Sequence, residues 1–117
     1  MKLSEKQIIF SKNVAILIAY ADMIGIDLTF GHAYRDKETQ RRLVDKGLSK
    51  TMNSKHLNRL AVDFNFFIDG KLTYDFEDVK ELGKFWLTLH PLNRWGGDFN
   101  KNGVKDGFVD VPHFEMQ

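Results

Sequence analysis

The sequence predicts an α+β fold, a small antiparallel sheet with about three helices, and three observations carry that expectation. Residues 5–24 and 75–89 repeat apolar side chains at helical spacing. The segments around Leu28 and from Leu60 to Ile68 alternate as strands do. Asp69-Gly70 joins two extended runs as a two-residue hairpin, and no strand–helix–strand rhythm calls for a parallel sheet.

The elements follow in chain order. Ser4 with Gln7 forms a capping-box pattern, and Ile8, Ile9, Val14, Leu17, Ile18 and Ala21 recur until Gly25, which defines a core-covering helix over 5–24. "DLTFGHAY" puts Leu28, Phe30, His32 and Tyr34 on one face of a half-buried strand. Asp36 caps a short helix through "KETQRRLVDK" that Gly47 stops. Residues 48–58 read as a surface loop feeding the strand from Leu60 to Ile68, so His56 is expected on a loop and Asp63 on a strand. After the hairpin and a short strand at 71–73, a helix over 75–89 buries Phe76, Val79, Leu82, Phe85, Trp86 and Leu89, with Pro91 just past its end. The remainder is a Gly/Asn/Asp-rich loop to Gly107 that returns into one final strand.

With 117 residues, 43% of them hydrophobic, the chain reads as a single domain over 1–117 with a real core. It has no cysteine, so disulfides, thiolate metal sites and a cysteine nucleophile are excluded. Any metal must be held by His, Asp or Glu. The net charge of +1 argues against nucleic acid as a partner. Lys and Arg nonetheless concentrate in residues 34–59, either as a solvated helix face or as a rim for an anionic polymer. The longest apolar run is broken by Asp22 and is too short for membrane insertion, and Glu5 and Gln7 fall where a signal peptide needs apolar residues. Synthesis and folding in the cytoplasm are expected.

Asp63 poses a problem, because it lies among Leu60, Val62, Phe64 and Phe66, and a buried ionised carboxylate needs a cation or several donors. His56, Asp63 and His113 can supply the three protein ligands that a catalytic zinc takes while leaving a fourth position for water. Structural histidines remain the alternative on spacing alone. Asp110 is the nearest candidate for a general base. In a regular strand residues 110 and 113 face opposite ways, but Pro112 provides a local break.

"SKHLNRLAVD" together with "DVPHFE" resembles the paired signature of the zinc D-Ala-D-Ala carboxypeptidase and dipeptidase family, S-x-H-x-x-x-x-A-x-D followed by (D/E)-x-x-H. "AYRDKETQ" supplies the upstream Arg and Gln of that family, and "FWLTL…RWGGDF…D…HFE" is closer to its phage endolysin branch, the L-alanyl-D-glutamate peptidases. The resemblance runs from about Phe30 to Glu115. It implies a Hedgehog/D-Ala-D-Ala peptidase-like fold and zinc on His56, Asp63 and His113. It further implies Asp110 as general base, Arg35 at the substrate oxyanion or carboxylate, and Ser54 and Gln40 in the substrate site. Arg59 departs from the pattern, since many members carry Gly there. His32 and His90 match no ligand position and read as ordinary strand and helix-end residues.

"DFNKNGVKD" places Asp98, Asn100, Asn102, Gly103 and Asp106 at positions 1, 3, 5, 6 and 9 of a calcium-loop template, with Val109 where the bidentate Glu belongs. Calcium is therefore a second candidate ion, set against a plain Asn/Gly loop. The function implied is that of a monomeric phage endolysin that cuts the L-Ala to D-Glu bond of the peptidoglycan stem peptide. It would be made in the host cytoplasm and act on the wall in the periplasm after release. The rivals are a D,D-carboxypeptidase or D-Ala-D-Ala dipeptidase, and a non-catalytic cell-wall binding module.

Overall fold

The computed structural model describes residues 1–34, 36–47 and 54–117. Its helices are α1 (Leu3–Met23), α2 (Lys37–Asp45) and α3 (Phe76–Leu89), and its strands are β1 (Asp27–Phe30), β2 (Ala61–Ile68), β3 (Lys71–Thr73), β4 (Asn93–Trp95) and β5 (His113–Met116). All pairings are antiparallel, in the order β1-β2-β5-β4, with β3 also on β2. The α+β expectation holds.

β2 organises the sheet. Its first half pairs with β5 and its second half with β1 and β3, so it receives partners from both ends of the chain. Alternation then separates its two faces. Val62, Phe64 and Phe66 point into a core completed by Phe114 and Met116 of β5, Trp95 of β4 and Leu82 and Trp86 of α3. Asp63 falls on the other face, and the carboxylate among apolar neighbours in sequence is not among them in space. Burying each large apolar side chain contributes about 1.5–3 kcal/mol, so the inward face fixes the register that positions the outward one.

Local chemistry accounts for most boundaries. The Asp36 carboxylate accepts from Thr39 N–H at 2.7 Å and starts α2, and Asp75 accepts from Glu77 N–H at 2.8 Å and starts α3. Asp69 and Gly70 both have positive φ, 52° and 78°, the pair a type I′ hairpin turn requires.

Several expectations are corrected. Helix α1 begins with Lys2, whose N–H donates to Glu5, so Ser4 is inside the helix and is not its cap. Its packed face is Phe10, Asn13, Leu17 and Ala21, while Ile8 and Ile18 are exposed; Val14 to Ala21 is an unbroken apolar run, so spacing alone could not select the side. β1 ends at Phe30, and His32 and Tyr34 lie beyond it. The chain there follows β2 irregularly, with Gly31 N–H donating to Asp63 O and Asp63 N–H to His32 O. The strand β4, expected as loop, pairs Asn93 to Trp95 with β5. Among the described residues, no helix is long and apolar enough to cross a membrane.

Candidate metal centre

The outward face of the β2–β5 pair gathers the polar side chains. Asp63 and His113 are direct cross-strand partners, and Glu115 follows His113 on the same face of β5. His56 arrives from a different element. It sits in a single turn of 3-10 helix over Lys55–Asn58, not in open loop, and Ser54 caps that turn by accepting from His56 N–H at 3.2 Å. Arg59 closes the turn in the left-handed region, φ 57°, where a glycine costs least, and its guanidinium lies 4.1 Å from the Tyr34 ring centroid. The turn after His56 therefore accommodates the side chain that departs from the family pattern.

Three potential ligand atoms converge. His56 Nε2 and His113 Nδ1 each lie 3.2 Å from Asp63 Oδ1, and one ligand atom from each of the three residues falls within 4.8 Å of the others. Ligands about 2.0–2.1 Å from a tetrahedral zinc sit roughly 3.3 Å apart, so this spacing fits. The His56 ring is oriented by its Nδ1, which donates to Ala33 O at 2.9 Å and leaves the Nε2 lone pair facing the cluster. That Nε2 is fully buried and has no hydrogen-bond partner. A buried, oriented, unsatisfied nitrogen beside a carboxylate and a second imidazole is the donor set a divalent cation takes, and zinc matches its chemistry.

The charges of the cluster are mutually dependent. Burial disfavours the Asp63 anion, but the hydrogen bond from His113 and the adjacent His56 hold its carboxyl well below the usual range. Burial likewise disfavours a His113 cation, yet its bonds to Asp63 and Glu115 push it up to about 9. Glu115 is lowered in turn: burial opposes its charge, and the His113 bond and nearby Arg94 outweigh that.

Asp110 stands in the turn that leads into β5. Its carbonyl accepts from His113 N–H at 3.0 Å and its N–H donates to Gly96 O at 2.8 Å, so residues 110–113 form a tight turn and the opposite-face objection does not arise. Gly96 is required there, because a Cβ would collide with the Asp110 carbonyl and crowd His113. Gln40 is fully buried on α2, and Ser54 is nearly so. Arg35 lies outside the described residues. His32 is exposed beyond β1, and His90 ends α3 with Nδ1 accepting from Leu92 N–H at 3.1 Å, the helix-end role expected of it.

The Asp98–Asp106 loop closes on itself. Asp98 accepts from the N–H groups of Asn102 and Gly103 at 3.1 and 2.8 Å, and Asp106 accepts from the side-chain amides of Asn100 and Asn102 at 3.0 and 2.9 Å. Two residues beyond the expected set belong to the site's surroundings. Glu115 Oε1 bonds His113 Nε2 at 2.7 Å, and the Phe99 ring lies 6.0 Å from the His113 ring. The signal for Glu115 was present in "HFE", since residues two apart on a strand share a face; Phe99 carried none.

Comparison with known proteins agrees with this architecture. The family described as phage L-alanyl-D-glutamate peptidase matches residues 4–117. The L-alanyl-D-glutamate peptidase of Listeria phage A118 is 31% identical over 101 residues, which is 86% of this chain and 34% of that protein. The chain thus spans about a third of that relative's length. Among solved structures, the Serratia marcescens L-Ala D-Glu endopeptidase ChiX superposes with a TM-score of 0.68 at 21% identity, over 97% of this chain and 85% of that one. The vancomycin-resistance D,D-pentapeptidase VanY, solved with Zn(II), gives 0.62 at 19% identity over 92% and 70%. At these identities the two structures establish the fold.

Proposed function

The chain belongs to the phage L-alanyl-D-glutamate peptidase family, and from that premise we propose that it is a zinc-dependent peptidoglycan peptidase cutting the L-Ala to D-Glu bond of the stem peptide, as a phage endolysin. The observation that carries the reading is the buried, unpartnered His56 Nε2 facing Asp63 and His113. His56, Asp63 and His113 would hold the ion. Bound there, zinc supplies acidification of a water and polarisation of the scissile carbonyl.

The remaining steps belong to the protein's own groups. The Asp110 carboxylate takes a proton from the attacking water and delivers it to the leaving amine, help worth roughly 100- to 10,000-fold in rate. Arg35 neutralises charge developing on the carbonyl oxygen, the role its motif position implies. Ser54 and Gln40 support the substrate side of the site. The hydrogen bond from Gly31 to β2 and the His56 bond to Ala33 keep the ligand set rigid, so little reorganisation accompanies reaction. The protein acts as a monomer on the cell wall, in the periplasm, after synthesis in the host cytoplasm. Calcium in the Asp98–Asp106 loop is not carried into this reading, because the loop's carboxylates are already satisfied by its own donors.

Digestion of purified peptidoglycan with and without a zinc chelator, followed by product masses, tests metal, activity and bond together. Chelator-sensitive release of peptides with a free D-Glu amino terminus is expected. Loss of a terminal D-Ala instead makes the protein a D,D-carboxypeptidase, and binding without any cleavage makes it a wall-binding module.

A further inference from the structure

We propose that Glu115 is a positioning residue for the metal centre, holding the His113 ring with Nε2 protonated so that Nδ1 is presented to the ion beside Asp63 and His56. The inference rests on the zinc reading above but concerns a residue outside the three ligands and outside the catalytic set.

The geometry leaves little freedom. Glu115 Oε1 lies 2.7 Å from His113 Nε2, and both side chains are more than nine-tenths buried. Two lone pairs at that distance repel, so a proton stands between them. The carboxylate is an acceptor only, which assigns the hydrogen to Nε2. Once an ion takes the place of the proton between Nδ1 and Asp63 Oδ1, 3.2 Å apart, the neutral ring carries its lone pair on Nδ1. The other tautomer would turn an N–H toward the ion and a lone pair toward a buried anion.

Glu115 is itself held. Its second oxygen lies 3.6 Å from the guanidinium of Arg94, its cross-strand partner on β4, which lets the carboxylate stay ionised at low exposure. The Arg94 guanidinium is also 4.7 Å from the Phe99 ring centroid. Behind the strands, the Trp86 indole N–H donates to the carbonyls of both Arg94 and Glu115 at 3.1 Å, tying these two residues to α3. A metal-binding histidine whose other nitrogen is fixed by a carboxylate loses affinity typically about 10–100-fold when that support is removed. A carboxylate serving only to satisfy a buried histidine would predict no such loss.

The test compares the full chain with Glu115→Ala and Glu115→Gln. Zinc affinity is read by competition with a chromophoric chelator, and the His113 ring by its imidazole nitrogen–proton signals with and without zinc. In the native protein the zinc-loaded ring should coordinate through Nδ1 and show a protected Nε2 proton. E115A should lose that proton signal and bind zinc about 10–100-fold more weakly. E115Q, which keeps an acceptor oxygen, should recover most of the affinity. Native affinity in E115A, or coordination of the loaded ring through Nε2, overturns the proposal. Should E115A fail to fold, the native ring's coordinating atom decides alone. A native chain that takes up no zinc defeats the metal reading, an outcome distinct from zinc binding that ignores Glu115.

Discussion

Two regions of the molecule look alike in composition and differ in what they can hold. The His56–Asp63–His113 cluster and the Asp98–Asp106 loop each bring metal-compatible groups together. In the loop, donors and acceptors lie within a few residues of one another, and every described carboxylate oxygen finds an amide hydrogen. In the cluster the groups come from a 3-10 turn and two strands, and the fold leaves a buried nitrogen without a partner. Readiness for a metal is thus a matter of unsatisfied lone pairs on a rigid frame. An acidic, asparagine-rich stretch can exhaust its own capacity.

The largest expected effect separates the two regions outright. Asp63→Asn should reduce metal content and wall lysis to background, since a neutral amide cannot replace the anionic ligand, whereas Asp106→Asn should leave both at the native level and change stability by about 0.5 kcal/mol or less. Metal analysis and turbidity of treated cell walls read both variants. A zinc-free native chain that still lysed walls would break the comparison.

Next in size is Asp110→Ala, expected to lower turnover about 100- to 10,000-fold with zinc content unchanged. Loss of zinc together with activity would instead make Asp110 part of the metal-holding frame, through the turn it shares with His113.

Stability comes third. At free zinc a hundredfold above its dissociation constant the folded state gains about 2.7 kcal/mol, roughly 10 °C in melting temperature for a chain of this size. Chelation should remove that increment, and calcium at fixed zinc should add none. Calorimetry in EDTA, in zinc and in calcium tests this, and equal melting in all three sinks the burial argument for Asp63.

The smallest effect depends on pH. In the metal-free protein the raised pKa of His113 contributes stability that is complete below its unfolded value near 6.5 and is lost as pH climbs toward about 9. The depressed Asp63 contributes above about 4 and is lost on acidification through its lower folded value. Metal-free stability should therefore fall between pH 6.5 and 9. Zinc affinity should rise over the same interval, because the ion competes with a proton at His113. Denaturant melts of the apo form and zinc titrations at matched pH check the opposed slopes.

How far these features could be read in the sequence depended on range. The Asp36 cap, the Asp69-Gly70 turn and the alternation of β2 are decided within four or five residues and appear as expected, while Asp75, expected as the first residue of its helix, proves to be its cap. The candidate ligand set was legible through the spaced motifs, and the structure brings its three members close together. Non-local partners decided the rest. The three residues Asn93–Trp95 are too few to show alternation, and β4 exists only because β5 arrives to pair with it. The orientation of Asp110 depends on a turn closed by its own carbonyl, and the face of α1 that packs depends on α3 and the sheet. Arg35 lies outside the described residues, so its role rests on its motif.

The pairing of Asp63 with His113 joins residues fifty positions apart in a chain without cysteine. An ion shared by those two side chains is a cross-link in the polymer sense. The ion leaves on unfolding, so such a tie would act on the folded state by mass action and strengthen with the free metal concentration. Unlike a disulfide, this staple would be indifferent to reductant and answer only to metal supply. A chain tied this way would keep its link in the presence of reductant and lose it to a chelator.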